Sequence, residues 1–351
     1  MHLKKRRKHK TKGYIAIIIL ISFVCIMTIG YAAFNTNLTI NAKGNIKTPN
    51  ASQQLKNTVV STGDGLYKDP NIENRYIYKG TDPNNYINFD NELWRIVSIE
   101  SDDTLKIVKE EAIANMPWDE RTTETTGPRL NNNNTYCQLY ASGYYYGCNA
   151  WSMVNGTFTN GQYNGTVTEN ASLNNYLNNV YYQSLSEDSK KIIETHEFNS
   201  GAVEAPSSSN RLPISEVITN EKQYIWNGNI ALLNISDYLN ASLDENCISL
   251  YNARRSGGAV CKNQNYLYHH NTSSRYSIWL LNPWENNLAD AWMISSTEGT
   301  LSGSGIDGTS STAQYASRSL NVHPALFLKA NINLTGDGTE NTPYQIQIIT
   351  Q

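Results

Sequence analysis

Glu92-Leu-Trp-Arg-Ile-Val-Ser-Ile99, followed after Glu100-Ser-Asp-Asp103 by Thr104-Leu-Lys-Ile-Val108, is the stretch on which the fold turns. Both runs are rich in β-branched and aromatic residues, and the acidic Ser101-Asp102-Asp103 between them is turn chemistry. The pair therefore reads as a β-hairpin. Trp94 and Ile96 point to one face, and Leu93, Val97 and Ile99 to the other. A strand that is apolar on both faces is covered on both, which puts this hairpin at the centre of a domain.

Working outward, Arg75–Tyr78 and Tyr86–Phe89 are short strands separated by the turn cluster Thr81-Asp-Pro-Asn-Asn85. Beyond the hairpin, residues 118–169 form a polar stretch too long for a plain connection. Leu173, Tyr176, Leu177 and Val180 recur at helical spacing behind Ser172, an expected N-cap. Residues 186–194 read as a second helix with Glu187 and Asp188 in its first turn. Residues 229–235 read as a strand, followed by a helical turn capped by Ser236. Further strands are expected at 277–281, 291–294, 321–330 and 344–349. Strands outnumber helices, so the expected class is α+β.

The N-terminus has a different character. Tyr14 to Phe34 carries no charged residue, and Lys4–Lys12 before it holds seven Lys or Arg and no acid. At ~1.5 Å per residue such a helix crosses a ~30 Å hydrocarbon core, and a basic flank stays in the cytoplasm. The expected organisation is a basic cytoplasmic tail at 1–13, a transmembrane signal-anchor at 14–34, a polar stalk at 35–62 with a short helix at 51–60, and an extracellular domain at 63–351. A cleaved signal peptide, with Gly30-Tyr31-Ala32 as the cleavage site, is the rival; the length of the apolar run favours a retained anchor. In either case the protein is expected at the cell surface, with the bulk of the chain outside. Setting the seven basic residues aside leaves 21 Lys plus Arg against 31 acids, so the outer part carries about −10. That balance argues against nucleic acid as a partner.

Five cysteines are present, one of them (Cys25) in the apolar run. The others form two local pairs, Cys137 with Cys148 and Cys247 with Cys261. Outside a cell, disulfides are the natural reading, and three connectivities are open. A zinc site using His269 and His270 beside Cys261 is the minor rival. Asn155, Asn164 and Asn234 begin Asn-X-Ser/Thr sequons, which would matter only in a glycosylating host.

Several motifs together resemble one family. Gly63-Asp-Gly-Leu-Tyr-Lys68, Tyr78-Lys-Gly80, Pro83-Asn-Asn-Tyr86 and Glu92-Leu-Trp-Arg-Ile96 look like its opening. Leu232-Leu-Asn-Ile-Ser-Asp-Tyr238 fits its middle. Trp279-Leu-Leu-Asn-Pro283, Ala291-Trp292, Val322-His-Pro-Ala-Leu326, Gly336-Asp-Gly-Thr339 and Pro343-Tyr344 fit its end. The family is a domain of unknown function from membrane-anchored or secreted proteins of low-GC Gram-positive bacteria. Its last third is similar to C-type-lectin-like and formylglycine-generating-enzyme-like domains. The resemblance implies a strand-rich, C-type-lectin-like extracellular domain with a few helices. The family usually has Arg where this chain has His323.

For a binding role, the flat faces of Trp118, Trp226 and Trp284, in loop-like surroundings, are the aromatic candidates for stacking on a sugar; Trp151 shares that setting. Trp94, Trp279 and Trp292 belong to apolar strands and read as core. Asp290 and Asp307, with Glu285 and Asn286, could ligate calcium, although turn chemistry accounts equally well for Asp307-Gly308 and Asp337-Gly338. The sequence contains no Gly-x-Ser-x-Gly, His-Glu-x-x-His or phosphate-loop motif. His196, between Glu194 and Glu197, reads as an exposed helix end. The expected function is a membrane-anchored binding module for a glycan, peptide or envelope partner. An extracellular wall or glycan hydrolase, whose paired carboxylates leave no local signature, and a structural envelope protein are the alternatives.

Overall fold

The hairpin lies where its apolar pattern demands, in the middle of the larger of two main sheets. The computed structural model describes residues 49–119, 139–140, 144–145, 149–152, 170–254, 259–268, 277–285, 290–296, 300–305 and 320–348. The 14–34 run, Cys137, Cys148, His269, His270 and Asp307 lie outside the described residues. Among those described, no helix is long and apolar enough to cross a membrane.

In chain order the strands are β1 (Gly65–Lys68), β2 (Tyr76–Lys79), β3 (Tyr86–Phe89), β4 (Glu92–Ile99), β5 (Leu105–Lys109), β6 (Ala114–Met116), β7 (Leu139–Tyr140) and β8 (Tyr144–Tyr145). They continue as β9 (Ile193–Glu194), β10 (His196–Asn199), β11 (Ile225–Gly228), β12 (Ile230–Ala231), β13 (Ile278–Pro283) and β14 (Asp290–Ile294). The last are β15 (Leu301–Gly305), β16 (Leu320–Val322), β17 (Ala325–Leu328), β18 (Ile332–Thr335) and β19 (Tyr344–Ile348). The large sheet is mixed and curled, in the order β12-β17-β5-β4-β3-β19-β18, with β1, β2 and β9 joined at its sides. A second sheet runs β15-β14-β13-β16-β6, and β10-β11 and β7-β8 are two-stranded ribbons. The described architecture is strand-rich with few helices, an α+β arrangement.

β4 is buried from Trp94 to Ile99. Its ladder to β5 shifts register between Ile96 and Ser98. Such an irregularity bends a strand. Here it lets one edge of β4 pair first with β3 and then with β2. The expected strand at 321–330 is two strands. Pro324, which has no N–H to donate, stands between β16 in the small sheet and β17 in the large one. This crossing ties the two sheets together.

The helical expectations need correction in detail. Ser172 is the first helical residue and not the cap; its N–H donates to the Asp119 carboxylate at 3.1 Å. The helix passes into π-helical turns at Tyr176–Tyr181. The wider turn breaks the 3.6-residue spacing, and Val180, expected on the apolar face, is exposed. Residues 193 and 194 leave the second expected helix, which spans Glu187–Ile192, and pair with β17. Helix Ile235–Asn240 is capped by Asn234, whose backbone N–H donates to Asp237 at 2.9 Å, not by Ser236. His196 is not at a helix end: it lies in β10, its Nε2 3.1 Å from Asp102, its ring stacked on Phe327 at 3.9 Å.

The stalk expected at 35–62 also changes. The short helix expected there at 51–60 forms at Ala51–Lys56, but it buries Ala51 and Leu55 in the main core and packs on β18. Gln54 Oε1 accepts the Leu334 N–H at 2.9 Å, covering part of a sheet edge. Pro49 onward thus belongs to the folded unit Pro49–Gln351.

Candidate functional site

A cleft of about 970 Å³ opens between the two sheets. One wall is the large sheet around Tyr86 and Arg95. The opposite wall is the small sheet at Ile278, Ile294, Asn321 and His323, and the segment 262–268 closes one side. Arg95 sets the geometry of the first wall. It projects from a buried strand, so its guanidinium must be satisfied within the protein. Nε donates to Asn85 Oδ1 at 2.6 Å, and Nη2 donates to Asp82 Oδ1 and to the Pro83 carbonyl, both at 3.2 Å. Its guanidinium carbon stands 3.6 Å from the ring centroid of Tyr86 and 5.0 Å from that of Tyr266. A cation between two aromatic faces locks both rings.

The closing segment is held from several directions. The Cys247–Cys261 disulfide precedes it. Asn265 Nδ2 donates to the carbonyls of Tyr238 and Cys261, and the Tyr266 N–H donates to the Gly80 carbonyl at 2.7 Å. Gly80 has φ +120, and a Cβ there would sit 2.3 Å from the Asp64 carboxylate, so no larger residue fits this contact. Gln264, at the lip, has φ +47. Tyr266 and Tyr268 donate to the carbonyls of Ile96 and Ser296. Burial pushes the phenols of Tyr86, Tyr266 and Tyr268 up from their ordinary value, so they stay protonated. His323 Nδ1 lies 3.1 Å from the Lys109 carbonyl. Asp82, Glu110 and Glu111 add carboxylates to the lining, and Asn115, Asn263 and Gln264 add amides. The Tyr86 hydroxyl donates to Asp82 Oδ1 at 3.0 Å, so the chemistry on offer is phenol oxygens as acceptors, amide hydrogen bonding, aromatic edges and several carboxylates.

A buried charge network lies elsewhere in the domain. Arg75 donates to Asp69 at 2.9 Å, Glu100 at 3.0 Å and Asp237 at 3.0 Å. Burial opposes its charge, but the carboxylates of Glu100, Asp237 and Asp69 outweigh it and hold the guanidinium's pKa up. Lys106 Nζ donates to Asp237 Oδ2 at 2.5 Å. Burial would raise the Asp237 carboxyl; Lys106 and Arg75 bring it below its ordinary value. Glu221, at the end of helix Ile214–Glu221, accepts from the N–H and hydroxyl of Ser236. Its burial pushes the carboxyl up to about 7.

The residues singled out in the sequence do not converge on this cleft. Trp118 is fully buried, edge-on to Trp151 at 5.3 Å, with Nε1 donating to the Leu280 carbonyl. Such a position offers no open ring face. Trp226 is half-buried between Trp151 and Phe198. Trp284 is half-buried, stacked on Trp292 at 4.8 Å with the Arg254 guanidinium 4.8 Å from its ring. Asp290 is buried at the start of β14, and among the described residues no group of three or more His, Cys, Asp or Glu is placed to hold a metal. The cysteine reading is realised for Cys247 and Cys261, which form a disulfide. Sequon Asn234 is buried.

Tyr86, Arg95, Tyr266 and Tyr268 were not singled out as site residues. The one signal available for Arg95 was a charge inside an apolar strand, which needs a partner; nothing local brings residues 262–268 to face it. Comparison of the chain with protein-family models, with curated proteins and with solved structures finds no match to any of them.

Proposed function

We propose that the chain is a single-pass membrane protein, with its N-terminus in the cytoplasm, whose folded unit works outside the cell as a binding module. The ligand is taken in the cleft of Tyr86, Arg95, Tyr266 and Tyr268. The observation that carries this reading is the cleft itself: about 970 Å³, lined by the Arg95–tyrosine stack and by the segment 262–268 that follows the Cys247–Cys261 disulfide. Concave, preformed sites of this size suit small ligands or short stretches of polymer. Phenols, amides and aromatic edges suit a neutral, hydroxyl-rich ligand, so a glycan is the preferred occupant. A peptide or a neighbouring surface protein is the other expected partner. The motifs that resemble C-type-lectin-like domains support the same reading, because β13 and β14, where Trp279 and Trp292 sit, contribute Ile278 and Ile294 to the cleft. The apolar run at 14–34 and its basic flank support the topology.

A second reading, an extracellular glycan hydrolase, is favoured by one observation. Asp82, Glu110 and Glu111 all line this cleft, and glycoside hydrolysis uses two carboxylates, one as acid and one as base or nucleophile. The test is to incubate the full chain, in detergent, with soluble cell-wall fragments and glycans. Retention on the ligand and release of shortened products are measured for the wild type, Glu110→Gln and Glu111→Gln. Retention without products identifies a binding module. Products that vanish in either variant identify the hydrolase. Neither retention nor products from the folded wild type overturns the hydrolase and the glycan as occupant, and leaves the protein partner as the binding reading.

A further inference from the structure

Lys106 projects from β5 into the interior, and its amine ends between one carboxamide and one carboxylate. Nζ lies 3.1 Å from Asn234 Oδ1 and 2.5 Å from Asp237 Oδ2. Lys106, Asn234 and Asp237 are 4%, 3% and 3% exposed, and the Phe327 ring centroid is 5.6 Å from Nζ. The two partners are remote in sequence, 128 and 131 residues away. Lys106 is held on one element, and Asn234 and Asp237 on another, where the Asn234 N–H donates to Asp237 Oδ2 at 2.9 Å. β5 runs between β4 and β17, and Asn234 caps helix Ile235–Asn240. The Asn234 amide nitrogen donates to the Asn199 carbonyl at 2.6 Å and to Asn282 Oδ1 at 3.3 Å, which turns its carbonyl oxygen toward the amine.

A primary amine, a carboxamide and a carboxylate immobilised together out of water are the reactants and the proton carrier for an amide exchange. We propose that Lys106 and Asn234 join through an intramolecular amide bond, with Asp237 moving the proton. Asp237 takes a proton from the Lys106 ammonium, and the freed electron pair on Nζ attacks Asn234 Cγ after a small swing of the lysine end. The tetrahedral adduct collapses as Asp237 passes that proton to Nδ2 and takes the second proton from Nζ, so the carboxyl ends protonated. The Nζ–Cγ bond forms, the Cγ–Nδ2 bond breaks, ammonia leaves, and nothing is oxidised or reduced. Arg75 and Lys106 stabilise the ionised Asp237, so the first proton transfer is uphill and the reaction slow. Slowness is tolerable because each chain reacts once and ammonia is lost. Fixed geometry also contributes effective concentrations on the order of 10⁵ M or more. The product fastens β5 to the start of helix Ile235–Asn240, across the β17–β12 side of the large sheet.

The full chain is reduced, alkylated and digested with trypsin. An acylated Lys106 resists cleavage, so the expected product is residues 96–109 joined to residues 223–254, lighter by one ammonia than the two peptides together. Lys106→Met and Asp237→Asn are expected to abolish the joined species. Separate 96–106 and 223–254 peptides from the wild type, with or without deamidation, overturn the proposal, whether or not either variant folds. A joined species that persists in Asp237→Asn overturns the role given to Asp237.

Discussion

Arg75 shows what a single buried charge demands of its surroundings. It is 5% exposed and meets three carboxylates, those of Asp69, Glu100 and Asp237. Replacing a buried pair wholesale is often harmless, whereas removing one member strands the others. Arg75→Met is therefore expected to lower unfolding free energy by about 3–5 kcal/mol, read as a fall in the urea midpoint. Glu221 makes a pH-dependent prediction. Its folded carboxyl titrates at about 7 against an ordinary 4.5, so the folded state holds the proton more tightly than the unfolded chain does. The stability this group contributes is full below pH 4.5 and is lost as pH rises through about 7. Glu221→Gln, which cannot ionise, should gain on the wild type between pH 5 and pH 8 in urea unfolding. A constant difference across that range would contradict the assignment. None of this was legible from local sequence. Arg75 and Lys106 stood in strands as ordinary charges, and their partner Asp237 lies 162 and 131 residues away.

Among the elements, those decided by local chemistry read well. Glu92–Ile99 and Tyr86–Phe89 carry strand periodicity and turn residues at both ends, and the strands have those bounds. The start of the second helix was legible from Glu187 and Asp188 in its first turn; the structure adds that Ser186 caps it, its hydroxyl accepting the Ser189 N–H at 3.2 Å. Ser186→Ala should cost about 1 kcal/mol, measured by thermal or denaturant unfolding. Elements decided by tertiary contact read poorly. Residues 193 and 194 continue a helical pattern but are drawn into the sheet by β17, and the 172–184 helix takes a π register that no spacing rule anticipates. The helix Ala51–Lys56 was legible as a helix but not as part of the folded unit, because its docking rests on just two apolar side chains, Ala51 and Leu55. Gln54→Ala should increase hydrogen exchange at Leu334 by uncovering its N–H, with little change in global stability.

At the scale of the whole molecule, the α+β, strand-rich class was legible because strand signals outnumber helical ones. The cleft was not, because its walls come from segments near residues 81–95, 110–115, 262–268 and 278–323, joined only by the fold. The Cys247–Cys261 bridge closes a loop of 14-residue separation beside it. Cys247→Ser is expected to cost about 3 kcal/mol in denaturant unfolding and to loosen segment 262–268 first. The central claim is that the cleft, and not the Trp284–Trp292 stack, takes the ligand. The most direct measurement is binding of the full chain, in detergent, to an array of glycans and cell-wall fragments, for the wild type, Tyr268→Ala and Trp284→Ala. Binding that falls at least about tenfold in Tyr268→Ala, the loss of roughly 1.4 kcal/mol of contact, and persists in Trp284→Ala is the predicted result. Binding untouched by Tyr268→Ala but lost in Trp284→Ala would contradict it and move the site to the tryptophan stack.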